Sequence, residues 1–322
     1  MKNNNKILGV IACLIASVSW GAVFPISDHV LKYIDSFYFS TIRFGAIAII
    51  LVIFLLIKEG KKAFCLEGRG KELFLLGVLG FTVYNLLVFP GQMLMGNSGV
   101  IVPAIMEALM PMILICILWG YKHIRPENHT LLNMIIAFIG AIFVITKGEI
   151  SFLLALKDNI FPVICVFVGV VSWVVYTMGG QSFSHWSALR YSTITCLFGT
   201  VVVSLITVAS SLLGYLSVPD MGAISIVKYD LILLVVFPGV GSLVCWNYGV
   251  KTLSTINGML FINIVPITTL IIMAIQGYNI DLFDMVGTLL IIVALIKNNM
   301  NDRRKKKKKL KVSHKRYLSR IS

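Results

Sequence analysis

At 322 residues, 58% hydrophobic and only 13% charged, with a mean hydropathy of +0.91, the chain is far more apolar than soluble domains, where about 45–50% of residues are apolar. It reads as an all-α polytopic membrane protein, and its loops are too short for a soluble catalytic domain. The net charge of +14 does not point to nucleic acid, because 12 of the 28 lysines and arginines lie from Lys297 onward, in a polybasic end that serves as a topology signal and a neighbour of anionic lipid.

Windows of about 20 apolar residues predict ten spans, near 7–27, 36–57, 72–94, 97–119, 130–146, 160–179, 188–216, 231–250, 256–276 and 284–298. The first follows Lys2 and Lys6, but no small-residue cleavage site closes the run, so it is read as a retained span rather than a signal peptide. The last is short; it is kept because it places the basic tail on the same side as the N-terminus. On that side lie Lys58, Lys61, Lys62, Arg69, Lys71, Lys122, Arg125 and Lys251, against Lys32, Lys147, Lys157 and Lys228 on the other. The positive-inside rule then makes both termini cytoplasmic, in a multi-pass protein of the cell membrane.

The fourth span, GNSGVIVPAIMEALMPMILICILWG, carries Glu107 near its middle. A charged side chain there costs about 2.5–3.5 kcal/mol on insertion scales, so it is expected to face protein or a wet cavity. Pro103, Glu107 and Pro111 fall at i, i+4 and i+8 on one helix face, and each proline frees the carbonyl four residues back. A bent helix with free carbonyls and a carboxylate is what a midplane binding site requires; the competing reading is a protonated or arginine-paired acid serving packing alone.

The chain repeats itself weakly. SVSWGAVFP at 17–25 is echoed by VVSWVVYTM at 170–178, STIRFGAI around Arg43 by SALRYSTI around Arg190, and the apolar stretch around Pro111 by that around Pro266. Five spans per half is an odd number, so the second half enters from the opposite side. The expected organisation is a first five-helix repeat over 1–150, an inverted second repeat over 151–298 and a basic cytoplasmic tail over 299–322, with substrate held between the repeats. Gly77, Gly80, Gly239 and Gly241 are expected at helix contacts rather than around phosphate.

On these motifs and their order, the chain resembles the EamA-type transporters of the drug/metabolite transporter superfamily. The resemblance implies ten helices in two inverted repeats and transport of a metabolite, often outward. The family's acidic residue after a glycine at the end of the fourth and ninth helices is missing, since those places read WGYK at 119–122 and QGYN at 276–279. Glu107 is therefore a feature of this sequence.

Candidate residues for substrate binding or coupling are Glu107, Trp20, Trp173, Tyr176, Tyr84, Asn247 and Asn263. Aromatic rings with a carboxylate suit an amine-bearing substrate, and Glu107 could alternatively exchange a proton, making protons the candidate coupling ion. Arg43 and Arg190 are candidates for an external and an internal gate, set against snorkelling to headgroups; Pro103, Pro111 and Pro266 are expected to bend their helices. The six cysteines form no CxxC pair and read as core residues, and no cofactor or metal is expected. The leading reading is a secondary transporter, an exporter of an amino acid or related amine. An uptake carrier for a nucleotide-like metabolite and a non-transporting sensor or assembly subunit stay open, whereas an enzyme would need an HExxH, GxSxG, P-loop or aspartate-rich motif, none of which occurs.

Overall fold

The structure is a computed structural model, and it describes residues 2–96, 99–123, 125, 128–146, 150–277, 279–294 and 296–297. The predicted tail, 299–322, lies outside the described residues. Among those residues the chain is helical, with no strand.

Helix α1 (Lys2–Gly21) and α2 (Val23–Val30) together form the first span, Asn5–Val30. Asp35 then caps α3 (Ser36–Glu59) by accepting the Phe37 N–H at 2.8 Å, and Gly60, at φ 73°, ends it. The third span, Gly70–Leu94, consists of α4 (Gly70–Gly77), a π-helical segment Val78–Val83 and α5 (Tyr84–Leu94). The fourth is α6 (Ile101–Ala108) and α7 (Met110–Lys122), which meet at a bend of 44°. The break falls just before Pro111, which supplies no N–H to a continuous helix. Pro103 stands in the first turn of α6, where a missing N–H is tolerated, and α6 runs through it unbroken. Next come α8 (Asn128–Thr146), α9 (Ile150–Gly179) and α10 (Ala188–Leu212), the last capped by Ser187, which accepts from Arg190 N at 2.9 Å.

A second π segment, Val235–Gly241, joins α11 (Met221–Leu234) to α12 (Ser242–Leu253). Helix α13 (Thr255–Met259), a 3-10 turn Leu260–Asn263 and α14 (Ile264–Ile275) form the following span, with Pro266 in the first turn of α14. The final helix, α15 (Leu282–Ala294), begins where Asp281 accepts the Asp284 N–H at 2.7 Å. Among the described residues, seven helical stretches are long and apolar enough to cross a membrane, eight with the bent pair α6/α7; Asn128–Gly140 and Leu282–Ala294 are shorter apolar helices.

The most extensive packing joins α1 to α12, α5 to α9 and α3 to α10, and α14 packs on both α1 and α6. Glycines permit the tightest approaches: a Cβ on Gly199 would run into the Gly77 carbonyl oxygen and one on Gly77 into that of Thr195, so α4 and α10 touch backbone to backbone. A Cβ on Gly80 would meet the Tyr176 ring at 2.7 Å and one on Gly239 would meet Ile47 at 2.6 Å, whereas Gly241 has only its own Val236 oxygen, 3.4 Å away. Along the α3·α10 seam, Thr193, Thr200 and Thr207 donate to the carbonyls of Leu51, Phe44 and Phe37 at 3.4, 3.3 and 3.4 Å. Large apolar side chains such as Ile49, Phe54, Phe161, Leu205 and Ile232 face outward, as suits a chain whose surroundings are lipid.

Candidate functional site

The two π segments and the α6/α7 bend surround a cavity of about 50 Å³. Its walls are mostly aromatic: Trp20 and Phe24 from the first span, Phe44 from α3, Phe81 and Tyr84 from the third span, and Trp173 from α9. Two ionisable side chains break the apolar lining. Glu107 is 5% exposed and Arg43 4%. The Tyr84 hydroxyl donates to Glu107 Oε1, while Glu107 Oε2 is buried and accepts nothing. The Arg43 guanidinium carbon lies 5.1, 5.8 and 5.9 Å from the ring centres of Phe44, Phe39 and Phe89, and its Nε is likewise without a hydrogen-bond partner. Cation–π contact with three rings offsets part of the cost of burying that charge.

Of the residues singled out in the sequence, Glu107, Trp20, Trp173, Tyr84 and Arg43 share this cavity. Trp20 is oriented by its Nε1, which donates to the Pro238 carbonyl in the second π segment at 2.9 Å, and stands edge-on to Trp173 at 5.5 Å. Arg43 neither snorkels nor stands at an end of the bundle; it is part of the cavity wall. Tyr176 and Asn247 lie beside the cavity in a polar knot, where Asn247 Nδ2 donates to the Tyr176 hydroxyl at 2.9 Å and to Ser192 Oγ at 2.8 Å. Asn263 lies apart, in the 3-10 turn before α14, with its Oδ1 buried and unpartnered.

Several lining residues escape sequence reasoning. Phe44, Phe81, Phe89 and Pro238 are ordinary apolar residues in apolar spans, and only the glycines and proline in mid-span (Gly77, Gly80, Pro238, Gly239) hint at π segments, which occur mostly as bulges at functional sites. At one end of the bundle, beyond Phe24, a wide vestibule is lined by Asp28, Lys32, Gln92 and Gln276. Gln92, 2% exposed, separates the two spaces: its Nε2 donates to the Phe24 carbonyl at 2.9 Å and its Oε1 accepts from Ser27 Oγ at 3.0 Å.

At the opposite end Arg190 is tied into the loop after α3, donating from Nε to the Ala63 carbonyl at 2.8 Å and pairing with Glu67 at 2.8 Å. Glu67 also accepts from Trp186 Nε1 at 3.0 Å and bonds His185 Nε2 at 3.1 Å. The Trp186 and His185 hydrogen bonds and the Arg190 guanidinium pull the Glu67 carboxyl down from 4.5 to about 2. A depressed carboxyl stabilises the fold above its unfolded value, and the stabilisation is lost as pH falls through the folded value. The difference in melting temperature between wild type and Glu67→Gln is therefore expected to shrink as pH is lowered from about 4.5 towards 2, measured by thermal unfolding in detergent.

A helical chain with seven or more apolar spans around a buried cavity whose wall carries a carboxyl and a guanidinium is the architecture of a multi-pass membrane transporter. The chain belongs to the EamA-like transporter family, whose model matches residues 7–146 and again 160–300. It is 55% identical over 300 residues to the uncharacterized transporter YrdR of Bacillus subtilis strain 168, covering 93% of this chain and 94% of that protein. It is 28% identical over 287 residues to the uncharacterized transporter YyaM of the same strain, covering 87% and 90% of the two chains. A solved crystal structure only 13% identical shares the fold, with a TM-score of 0.68 over 94% of this chain and 99% of the other. The protein is thus a membrane transporter of a small molecule and not an enzyme.

Proposed function

We propose that this chain is a ten-helix secondary transporter built as two inverted five-helix repeats, 1–150 and 151–298, that moves an amino acid or related amine across the cell membrane by alternating access, with both termini cytoplasmic. The observation that carries the substrate reading is the pair of unpartnered ionic atoms in one aromatic cavity, Glu107 Oε2 and Arg43 Nε. An unpartnered buried ion is costly, so the site is best satisfied by a ligand that brings an ammonium to Glu107 and a carboxylate to Arg43.

The repeat reading has structural support. Exchanging the halves turns the α1·α12 contact into α5·α9 and α1·α14 into α7·α9, and leaves α3·α10 on itself, which is the pattern a two-fold relating the halves produces. The π segments at Val78–Val83 and Val235–Gly241 occupy the same place in the third span of each half. The family model also matches twice, once in each half. In this correspondence, aligned on Pro111 and Pro266, the second half carries Ile262 where the first has Glu107, so only one repeat supplies the carboxylate.

The test is uptake of labelled amino acids, amines and nucleotides into proteoliposomes, with and without an imposed pH gradient. Flux of amines or amino acids, and not of nucleotides, is the expected outcome; a gradient response adds proton exchange at Glu107. Arg43→Lys keeps the charge but loses the planar surface that stacks on Phe39, Phe44 and Phe89. It is expected to raise the apparent Km for a zwitterion by roughly tenfold while changing that for a simple amine little.

A further inference from the structure

Helix α3 spans 24 residues, or about 36 Å at 1.5 Å per residue, and the two ends it joins are fastened differently. At the vestibule end the first span meets α11 through the half-exposed pair His29–Asp230 at 2.8 Å. At the other end the loop after α3 is docked on the loop before α10 by converging contacts. Glu67 takes Trp186, His185 and Arg190, and the Arg190 guanidinium lies 3.7 Å from the centre of the Trp186 ring. Arg69 donates to the Ser182 carbonyl at 2.7 Å and covers the Phe183 ring at 3.8 Å. Glu67 itself stands at φ 52°, a left-handed conformation that a side chain adopts only where its surroundings impose it.

Beneath this cluster an unbroken column of rings leads to the cavity. Trp186 packs on Phe183 at 5.2 Å, Phe183 on Tyr191 at 5.7 Å, Tyr191 on Tyr176 at 5.4 Å, Tyr176 on Trp173 at 5.0 Å and Trp173 on Tyr84 at 5.4 Å. Tyr84 is the residue that holds Glu107. The route from the cavity to this end is therefore filled by aromatic side chains whose outermost member, Trp186, is bonded to Glu67.

We propose that Glu67 is the catch of a gate: its bonds to Trp186, His185 and Arg190 hold the loop-60s end of the pathway shut across the two halves, and their release is the step that admits water and substrate from that side. The inference rests on the alternating-access reading, since a gate has a role only in a carrier. Releasing Trp186 frees the top of the column, and the rings below it can then turn away from one another without breaking any helix.

Thr177 reports on the gate because it is 1% exposed and lines the small space under Trp186. The experiment follows modification of the Thr177→Cys variant by a small maleimide in nanodiscs, resolved from the native cysteines by peptide mass spectrometry, with exposed Cys65 as the internal reference. Adding Glu67→Gln, or Trp186→Phe, which keeps an aromatic ring but removes the N–H, is expected to speed modification at position 177 by roughly tenfold, a tenfold shift in the open population. Equal rates in both double variants and in Thr177→Cys alone would overturn the proposal. If one variant fails to fold, the other decides the question. Because labelling requires no cargo, its result stands even where the proteoliposome flux fails, so failure of the gate and failure of the substrate reading are told apart.

Discussion

Glu107→Gln is expected to abolish any pH dependence of transport and to weaken binding of amine substrates, with the protein still folded. The substitution is nearly isosteric, and the amide oxygen can still accept the Tyr84 hydroxyl that Glu107 Oε1 accepts. What is lost is the negative charge at the position of Oε2, which has no hydrogen-bond partner within the protein. Hydrogen bonds to a charged group contribute about 1.5–3 kcal/mol, so apparent affinity should fall roughly 10- to 150-fold. Tyr84→Phe is the control, because it removes the donor but keeps the charge; it should weaken binding less than Glu107→Gln does. The measurement is counterflow in proteoliposomes at several pH values. Full retention of the pH response would eliminate Glu107 as the proton carrier, and unchanged affinity would eliminate it as the amine ligand.

Gly199→Leu is expected to destroy the folded state. Even the first added carbon would overlap the Gly77 carbonyl oxygen and come within 2.6 Å of Phe81 Cβ. Flexible side chains could yield, but a helix backbone cannot move without carrying α4 and its neighbours with it. Overpacking in a tight core typically costs about 1–3 kcal/mol, and a clash between two backbones belongs at or above the top of that range. Gly45→Ala gives the contrast: nothing lies within 4 Å of its added Cβ, and alanine favours an exposed helix interior by about 1 kcal/mol over glycine. Monodispersity and melting temperature in detergent should therefore separate the two variants, with Gly45→Ala at or slightly above wild type.

Glu107 could be read from the sequence because a lone carboxylate in a membrane-length apolar window is expensive and needs a reason to be there. Arg43 was harder, since an arginine two turns into a span can reach headgroups; only the rings of Phe39 and Phe89, the latter from another span, show that it stays inside. Tyr176 and Asn247 were found by residue type, yet they form the knot beside the cavity rather than its wall, a distinction that residue type does not carry. The π segments left little trace, because the extra residue in a turn changes the register without requiring a particular side chain. Glu67 left none: its loop, CLEGRG, reads as an ordinary charged turn, and His185 and Trp186 lie 118 and 119 positions further on. The short helices Asn128–Gly140 and Leu282–Ala294 coincide with the fifth and tenth predicted spans.

The threonines along α3 and α10 have a consequence for how the halves can part. Their spacing is seven on both sides, 193, 200 and 207 against 51, 44 and 37, and these hydroxyl-to-carbonyl bonds are long, 3.3 to 3.4 Å, whereas near the start of α3 Thr41 and Tyr38 meet the Thr207 and Ser211 hydroxyls at 2.8 Å. Thr193 and Thr207 also donate within α10, to Leu189 and Val203, at the shorter distances of 2.7 and 2.9 Å, and Thr200 has the Cys196 sulfur of the same helix at 3.8 Å. Each of these hydroxyls thus keeps a home on its own helix when the other helix withdraws. These three teeth can let go one by one, as a zip does, whereas Thr41 and Tyr38 each lose a 2.8 Å bond when the seam parts.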